Sequence, residues 1–199
     1  LRATAPLIHK GEVGVLSQTL SKMQQDILQR EQQILFQSQH DSLTGLANRS
    51  YVEQQLPALL RQQQWQLLLI NIKDFKHIND TFGYQNGDLL LQQLANRLKT
   101  SPLAPLLLAR LGGDEFLVML DREVTRDVTD NIGHRIIEAL HQPMTVEGRD
   151  LNIGASIGVA LNPPLESDIE ALMSRADQAM YSAKRAGKGR LHYAQAVCS

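Results

Sequence analysis

The segment ARLGGDEFLVML (109–120) breaks a strand pattern with two glycines and two acids. The apolar runs PLLLAR (105–110) and EFLVML (115–120) flank Gly112 and Gly113 like the arms of a β-hairpin. Glycine adopts the positive φ that a tight turn needs and lets a ligand approach the backbone closely. Asp114 and Glu115 then stand at the rim, where carboxylate oxygens suit a hard divalent cation. A surface hairpin with solvated acids has the same local sequence, so the turn alone does not decide its use.

The rest of the chain from Asp41 alternates helical and strand patterns. SYVEQQLPALLRQQQ (50–64) reads as a helix in which Pro57 either kinks the axis or sits in the first turn. WQLLLIN (65–71) reads as a buried strand, and NGDLLLQQLANRLKT (86–100) and RDVTDNIGHRIIEALHQ (126–142) as helices. MTVEGRDLNIGASIGVAL (144–161) reads as two strands with a Glu147-Gly148 turn. A helix over 167–188 opens with Ser167 and Glu170 as a capping box, and RLHYA forms a last short strand. Helices alternating with hairpin strands predict an α/β (α+β) sandwich, its mixed sheet covered by helices.

Composition narrows the possibilities. A formal charge of −1 provides no global field for nucleic acid or an anionic membrane, so a phosphate site must be local. Cys198 is the single cysteine, which excludes an internal disulfide and a cysteine-based zinc site. Residues 1–40 form a separate segment, rich in Gln, ahead of a globular domain over 41–199. Leu16, Leu20, Met23, Ile27 and Ile34 recur at steps of four and three, with Arg30 in the vacant seam position. This predicts a helix over 14–39 that either pairs with a second copy as a coiled coil or packs on its own domain.

Five blocks in one order carry a resemblance: DSLTGLANR (41–49), FKHINDTFGYQNGD (75–88), RLGGDEF (110–116), ASIGVA (155–160) and ADQAMYSAKRAGKGR (176–190). Together they resemble the GGDEF family, whose active members are diguanylate cyclases that condense two GTP into cyclic di-GMP and release pyrophosphate. The resemblance covers about residues 41–194. It implies a fold like a polymerase palm or nucleotide cyclase, with a central sheet of about five strands ringed by helices. It also implies bacterial second-messenger signalling and two GTP-loaded domains that face each other as a homodimer.

The resemblance assigns roles. Asn79 and Asp88 match the residues that read guanine, and an amide with a carboxylate suits that base edge rather than adenine, which argues against an ATP-using cyclase. As ordinary structure, Asn79 would cap a turn and Asp88 the following helix. Lys76, Lys184 and Lys188 match phosphate-binding positions, beside Phe75, and Gly112 and Gly113 let the nucleotide lie on the hairpin. Backbone amides of residues 73–76 add phosphate donors if a turn opens there. Asp114 matches the metal-binding acid, with Ile72 and Asn71 completing the set, and Glu115 matches the acid that helps deprotonate the attacking 3′-hydroxyl. The implied cofactor is Mg²⁺ or Mn²⁺, two ions per reaction.

The metal position departs from the pattern. Where the family carries D-x-D-x-F-K, this chain has Asn71 and Lys73 before Phe75-Lys76. One charge changed at about 4 Å is worth up to about 4 kcal/mol at an effective dielectric near 20, so the two changes predict a weakened site. Asp74 is a substitute acid on another side of the strand end. Leu103 and Leu106 occupy the positions of the Arg-x-x-Asp product-inhibition motif, so that inhibition is expected to be absent. GEVGVLSQTLSKM (11–23) is similar to the second helix of HAMP linkers, which implies a cytoplasmic domain of a membrane-anchored receptor. Two readings follow: a cyclase with an impaired metal site, or a GTP-binding regulatory or dimerising module for a neighbouring receptor or phosphodiesterase domain.

Overall fold

A computed structural model describes residues 10–61, 66–100, 105–120, 125–161, 169–186 and 191–193. In chain order the elements are α1 (Lys10–Gln39), α2 (Arg49–Arg61), β1 (Gln66–Ile72), α3 (Phe75–Phe82), α4 (Tyr84–Thr100), β2 (Leu107–Gly112) and β3 (Glu115–Leu120). They continue with α5 (Arg126–His141), β4 (Met144–Val146), β5 (Arg149–Leu151), β6 (Ala155–Leu161), α6 (Ile169–Ala186) and β7 (Leu191–Tyr193). Ser167, Lys188 and Cys198 lie outside the described residues, as does Leu103, and of Lys184 only the helical backbone is described.

Contacts divide the chain into one unit ending at Ser38 and another beginning at Gln39. The first is essentially α1, which begins a turn earlier than the heptad pattern predicts. Leu16, Leu20, Met23, Ile27 and Ile34 are all more than half exposed along it.

In the second unit the strands form a five-stranded sheet in the order β2-β3-β1-β6-β7. Every pairing is antiparallel except β6 with β7, which makes the sheet mixed, as expected. β1 lies at its centre and all seven of its residues are buried, which explains its nearly continuous apolar sequence. Side chains alternate between faces along a strand. Leu68, Ile70 and Ile72 join Leu90, Leu91, Leu94 and Leu98 of α4 on one face. Leu67 and Leu69 join Val52 and Leu56 of α2 and Ala176 and Met180 of α6 on the other. At Gly158 a β-carbon would come within 2.6 Å of the Met180 amide nitrogen, so the absence of a side chain lets α6 lie directly on β6.

Three local expectations change. Asn48 caps α2, its Oδ1 accepting from the Tyr51 amide, and the helix runs on through Pro57, which is interior rather than in the first turn. Residues 144–161 form three strands, because β4 and β5 close on the Glu147-Gly148 turn as a ribbon apart from the main sheet. Residues 75–82 form a helix of their own, with Phe75, Ile78 and Phe82 packed toward the α4 side of the core.

A polar link fixes the start of the globular unit to the β2–β3 hairpin. Arg110 Nη1 donates to both carboxylate oxygens of Asp41 at 3.0 and 3.1 Å. Its Nε and Nη2 donate to the Gly113 carbonyl at 3.1 and 2.8 Å. The Thr44 amide and hydroxyl also donate to Asp41, at 2.9 and 2.6 Å. Backbone bonding extends the link, since the Arg110 amide donates to the Ala47 carbonyl at 2.9 Å. From α4, Lys99 Nζ reaches the Thr44 carbonyl and Gln92 the Leu43 carbonyl.

Burial raises the pKa of Asp41, but the Thr44 and Arg110 hydrogen bonds and the Arg110 charge outweigh it and hold the carboxyl below its ordinary value. A depressed folded-state pKa makes this contribution complete above the ordinary carboxylate value of about 3.9 and lost as pH falls through the lower folded value. Asp41→Asn is expected to lower unfolding stability by about 1–3 kcal/mol at pH 7. The difference from the unaltered protein should shrink below about pH 4, as measured by urea denaturation across pH.

Candidate functional site

Two regions of the fold hold those predicted residues whose side chains are described. The first is the corner between α3 and α4. Gly83 at φ 84 turns the chain out of α3, and its amide donates to the Asn79 carbonyl at 2.8 Å. The reversal lays Gly87 of α4 against Asn79 so closely that a β-carbon would fall far inside van der Waals contact distance of Asn79 Oδ1. Phe75 Cζ is 3.3 Å from the same point, so Phe75, Asn79 and Gly87 meet at one place. Asp88 follows Gly87 and is exposed.

Asn79 Oδ1 is buried and has no hydrogen-bond partner. Such an orphaned acceptor costs roughly 1–3 kcal/mol, and a donor on a ligand edge would relieve it. The Asn79 amide oxygen and the Asp88 carboxylate, on facing helices of this corner, are all hydrogen-bond acceptors. They therefore suit a base edge rich in N–H groups.

The second region is the end of the central sheet. The hairpin differs from its expected form: register shifts between Arg110 and Gly112, Gly112 pairs with Glu115, and the turn residues are Gly113 and Asp114. Gly112 at φ 144 and Gly113 at φ 51 hold conformations open to glycine, with free space where a β-carbon would stand. Glu115 is consequently the first strand residue, directly opposite Asn71 of β1. Ser156 of β6 lies opposite Asn71 on its other side, so Glu115, Asn71 and Ser156 form a lateral row on the α2–α6 face. Asn71 is 5% exposed, and the Ser156 hydroxyl is buried without a partner. The Ile72 amide donates to the Asp114 carbonyl at 3.0 Å, which ties the turn to the end of β1.

Just beyond β1, the Lys73 amide donates to Gly154 at 2.7 Å and is not a free phosphate donor. A turn does open there: Asp74 takes the left-handed conformation, φ 58, and makes no side-chain cap bond to α3. Asp74 and Lys76 are exposed. Among the described residues no three His, Cys, Asp or Glu side chains cluster closely enough to enclose a metal ion. Glu115 and Asp114, the Ile72 carbonyl and the Asn71 amide oxygen are all hard oxygen donors, fitting magnesium or manganese in type.

Two buried polar residues nearby carry no local sequence signal of their own: Ser156, within the ASIGVA block, and Asn86, whose partner lies far along the chain. Asn86 is buried, and its Nδ2 donates at 2.7 Å both to the Phe82 carbonyl and to Glu147 Oε1.

Comparison with known proteins identifies the family. The family model described as "Diguanylate cyclase, GGDEF domain" matches residues 38–190. The chain is 30% identical over 184 residues to the bifunctional diguanylate cyclase/cyclic di-GMP phosphodiesterase MucR of Pseudomonas aeruginosa, covering 90% of this chain and 26% of MucR. It is 40% identical over 156 residues to the response regulator PleD of Caulobacter vibrioides, covering 74% of this chain and 34% of PleD. The structure of the coiled coil and GGDEF domain of DgcB from Caulobacter crescentus, in complex with c-di-GMP, aligns with a TM-score of 0.81 at 26% identity, covering 93% of this chain and 100% of that one. The chain spans about a quarter to a third of the length of the two curated relatives. With the ordered motifs, the mixed five-stranded sheet and the glycine hairpin beside β1, this match places the chain in the GGDEF family of diguanylate cyclase domains.

Proposed function

We propose that this domain binds GTP, with guanine at the α3–α4 corner and the triphosphate toward the β2–β3 turn, and that it condenses GTP to cyclic di-GMP only slowly. The observation that carries the reading is Asn79, whose buried, unpartnered Oδ1 faces Gly87 one residue before Asp88. Guanine offers N1–H and N2–H on one edge, which Asp88 and Asn79 together can accept. Lys76 is exposed near the start of α3 and supplies local positive charge that triphosphate needs in a nearly neutral protein, and the family resemblance assigns Lys184 and Lys188 to the same role.

Bound divalent ions would neutralise charge on the α-phosphate and on the departing pyrophosphate and make the 3′-hydroxyl more acidic. Asp114, the Ile72 carbonyl and the Asn71 amide oxygen are the groups that would hold them. Glu115 is the group proposed to accept the 3′-hydroxyl proton. Asn71 stands opposite Glu115 where a carboxylate would complete the set, and Lys73 adds positive charge nearby. These two residues support slow turnover. They equally favour the second reading, a nucleotide-binding module that regulates a neighbouring phosphodiesterase or receptor domain.

Condensation needs two GTP-loaded domains face to face, and the exposed heptad side chains of α1 support pairing with a second copy. A HAMP-like linker and a membrane-anchored parent belong to the same proposal; among the described residues no helix is long and apolar enough to cross a membrane.

Incubation with GTP and Mg²⁺ or Mn²⁺, followed by chromatography, is expected to show GTP binding with little cyclic di-GMP. Asn71→Asp is expected to raise product formation by roughly tenfold or more, reflecting the charge restored at the metal. Robust turnover by the unaltered protein, or no gain from Asn71→Asp, would contradict the impaired-site reading. In analytical ultracentrifugation the chain is expected to be dimeric, and Leu20→Glu with Ile27→Glu should make it monomeric while leaving the melting of the globular unit unchanged.

A further inference from the structure

Asn86 immediately precedes the two residues of α4 that define the corner, Gly87 and Asp88. It is 8% exposed, and its one amide group joins three elements: the last turn of α3 through Phe82, the first turn of α4, and the β4–β5 turn through Glu147. A hydrogen bond to an ionised carboxylate is about twice as strong as one between neutral groups. The contact spans 61 residues of chain and couples the small β4–β5 ribbon to the corner.

Glu147 has an unusual backbone. Its φ is 50 and that of Gly148 is 73, the pair of positive values that a tight hairpin turn of this hand requires. Asn-Gly or Gly-Gly suits such a turn, whereas a glutamate there is disfavoured. A disfavoured conformation persists where the surroundings over-determine it, and here the carboxylate of that residue is bonded to Asn86. An asparagine would ease the turn but is a methylene shorter and offers a neutral acceptor.

We propose that the Asn86–Glu147 pair is a positioning device for the guanine site, holding the first turn of α4 against α3. The inference rests on the guanine-nucleotide reading above. The Gly87–Asn79 contact leaves no slack between the helices, so releasing the start of α4 would change the spacing of Asn79 and Asp88 together. Neither Asn86 nor Glu147 is proposed to touch the nucleotide. They act through the residues that do.

Glu147→Gly separates this role from hairpin stability, since it removes the acceptor and relieves the left-handed backbone at once. Three measurements on the full chain apply: thermal melting, amide hydrogen exchange over residues 84–90 without nucleotide, and calorimetric titration with GTP. The variant is expected to melt no lower than the unaltered protein, to exchange faster over 84–90, and to bind GTP roughly three- to tenfold more weakly. Glu147→Gln, which keeps an oxygen acceptor, should recover most of the affinity. Unchanged exchange over 84–90, or GTP affinity within about twofold of the unaltered protein, would overturn the proposal. Absence of GTP binding by the unaltered protein would overturn the underlying nucleotide reading instead, so the two failures are distinguishable.

Discussion

The Arg110 guanidinium joins two distant parts of the chain on which the placement of the site depends. One side of it binds the Asp41 carboxylate and the other binds the Gly113 carbonyl in the hairpin turn. The side chains of Arg110 and Asp41 are 12% and 19% exposed, so the pair is partly withdrawn from solvent. Removing either partner would leave a charge short of its hydrogen bonds, which costs more than loss of an exposed surface pair. Through this link the position of Asp114 and Glu115 is tied to the point where the globular unit begins. The end of β1 supplies the other anchor, through the Ile72 amide and the Asn71–Glu115 pairing.

The site is built from close approaches that exclude side chains as much as from residues that bear chemistry. Gly158 brings α6 onto the sheet, Gly87 brings α4 onto Asn79, and Gly112 and Gly113 keep the hairpin turn clear. At each of these points a β-carbon would either collide or occupy space beside the hairpin. Polar groups then sit where backbone geometry, not side-chain reach, fixes their separation. Asn71 stands out in this setting: it is well placed and buried opposite Glu115, yet neutral.

Much of the fold was legible because its signals are local. The apolar run of β1, the periodicity of α4 and α5, and the glycine hairpin each carry their own pattern, and the ordered blocks joined them into one architecture. Misreadings arose where local patterns compete. Pro57 left its place in the helix open, and the structure sets it in the interior of α2, where the packing of Val52 and Leu56 offsets the lost hydrogen-bond donor and the ring's crowding of the preceding turn. The short α3 was hidden inside a motif, and a register shift at Leu111 moved the turn by one residue. The links between Asp41 and Arg110, 69 residues apart, and between Asn86 and Glu147, 61 apart, have no local signature at all. They exist because the sheet and helices bring those positions together.

Asn79, seated against Gly87, and Asp88 form the proposed guanine-reading corner. Gly87→Ala tests it directly, because alanine is a better helix former than glycine and yet its β-carbon collides with Asn79 Oδ1. The decisive measurement is calorimetric titration of this variant with GTP and ATP, beside circular dichroism to verify the fold. Loss of GTP affinity by roughly tenfold or more, together with loss of the preference for GTP over ATP in a folded protein, is the result predicted. Unchanged GTP affinity and selectivity would contradict the assignment of this corner.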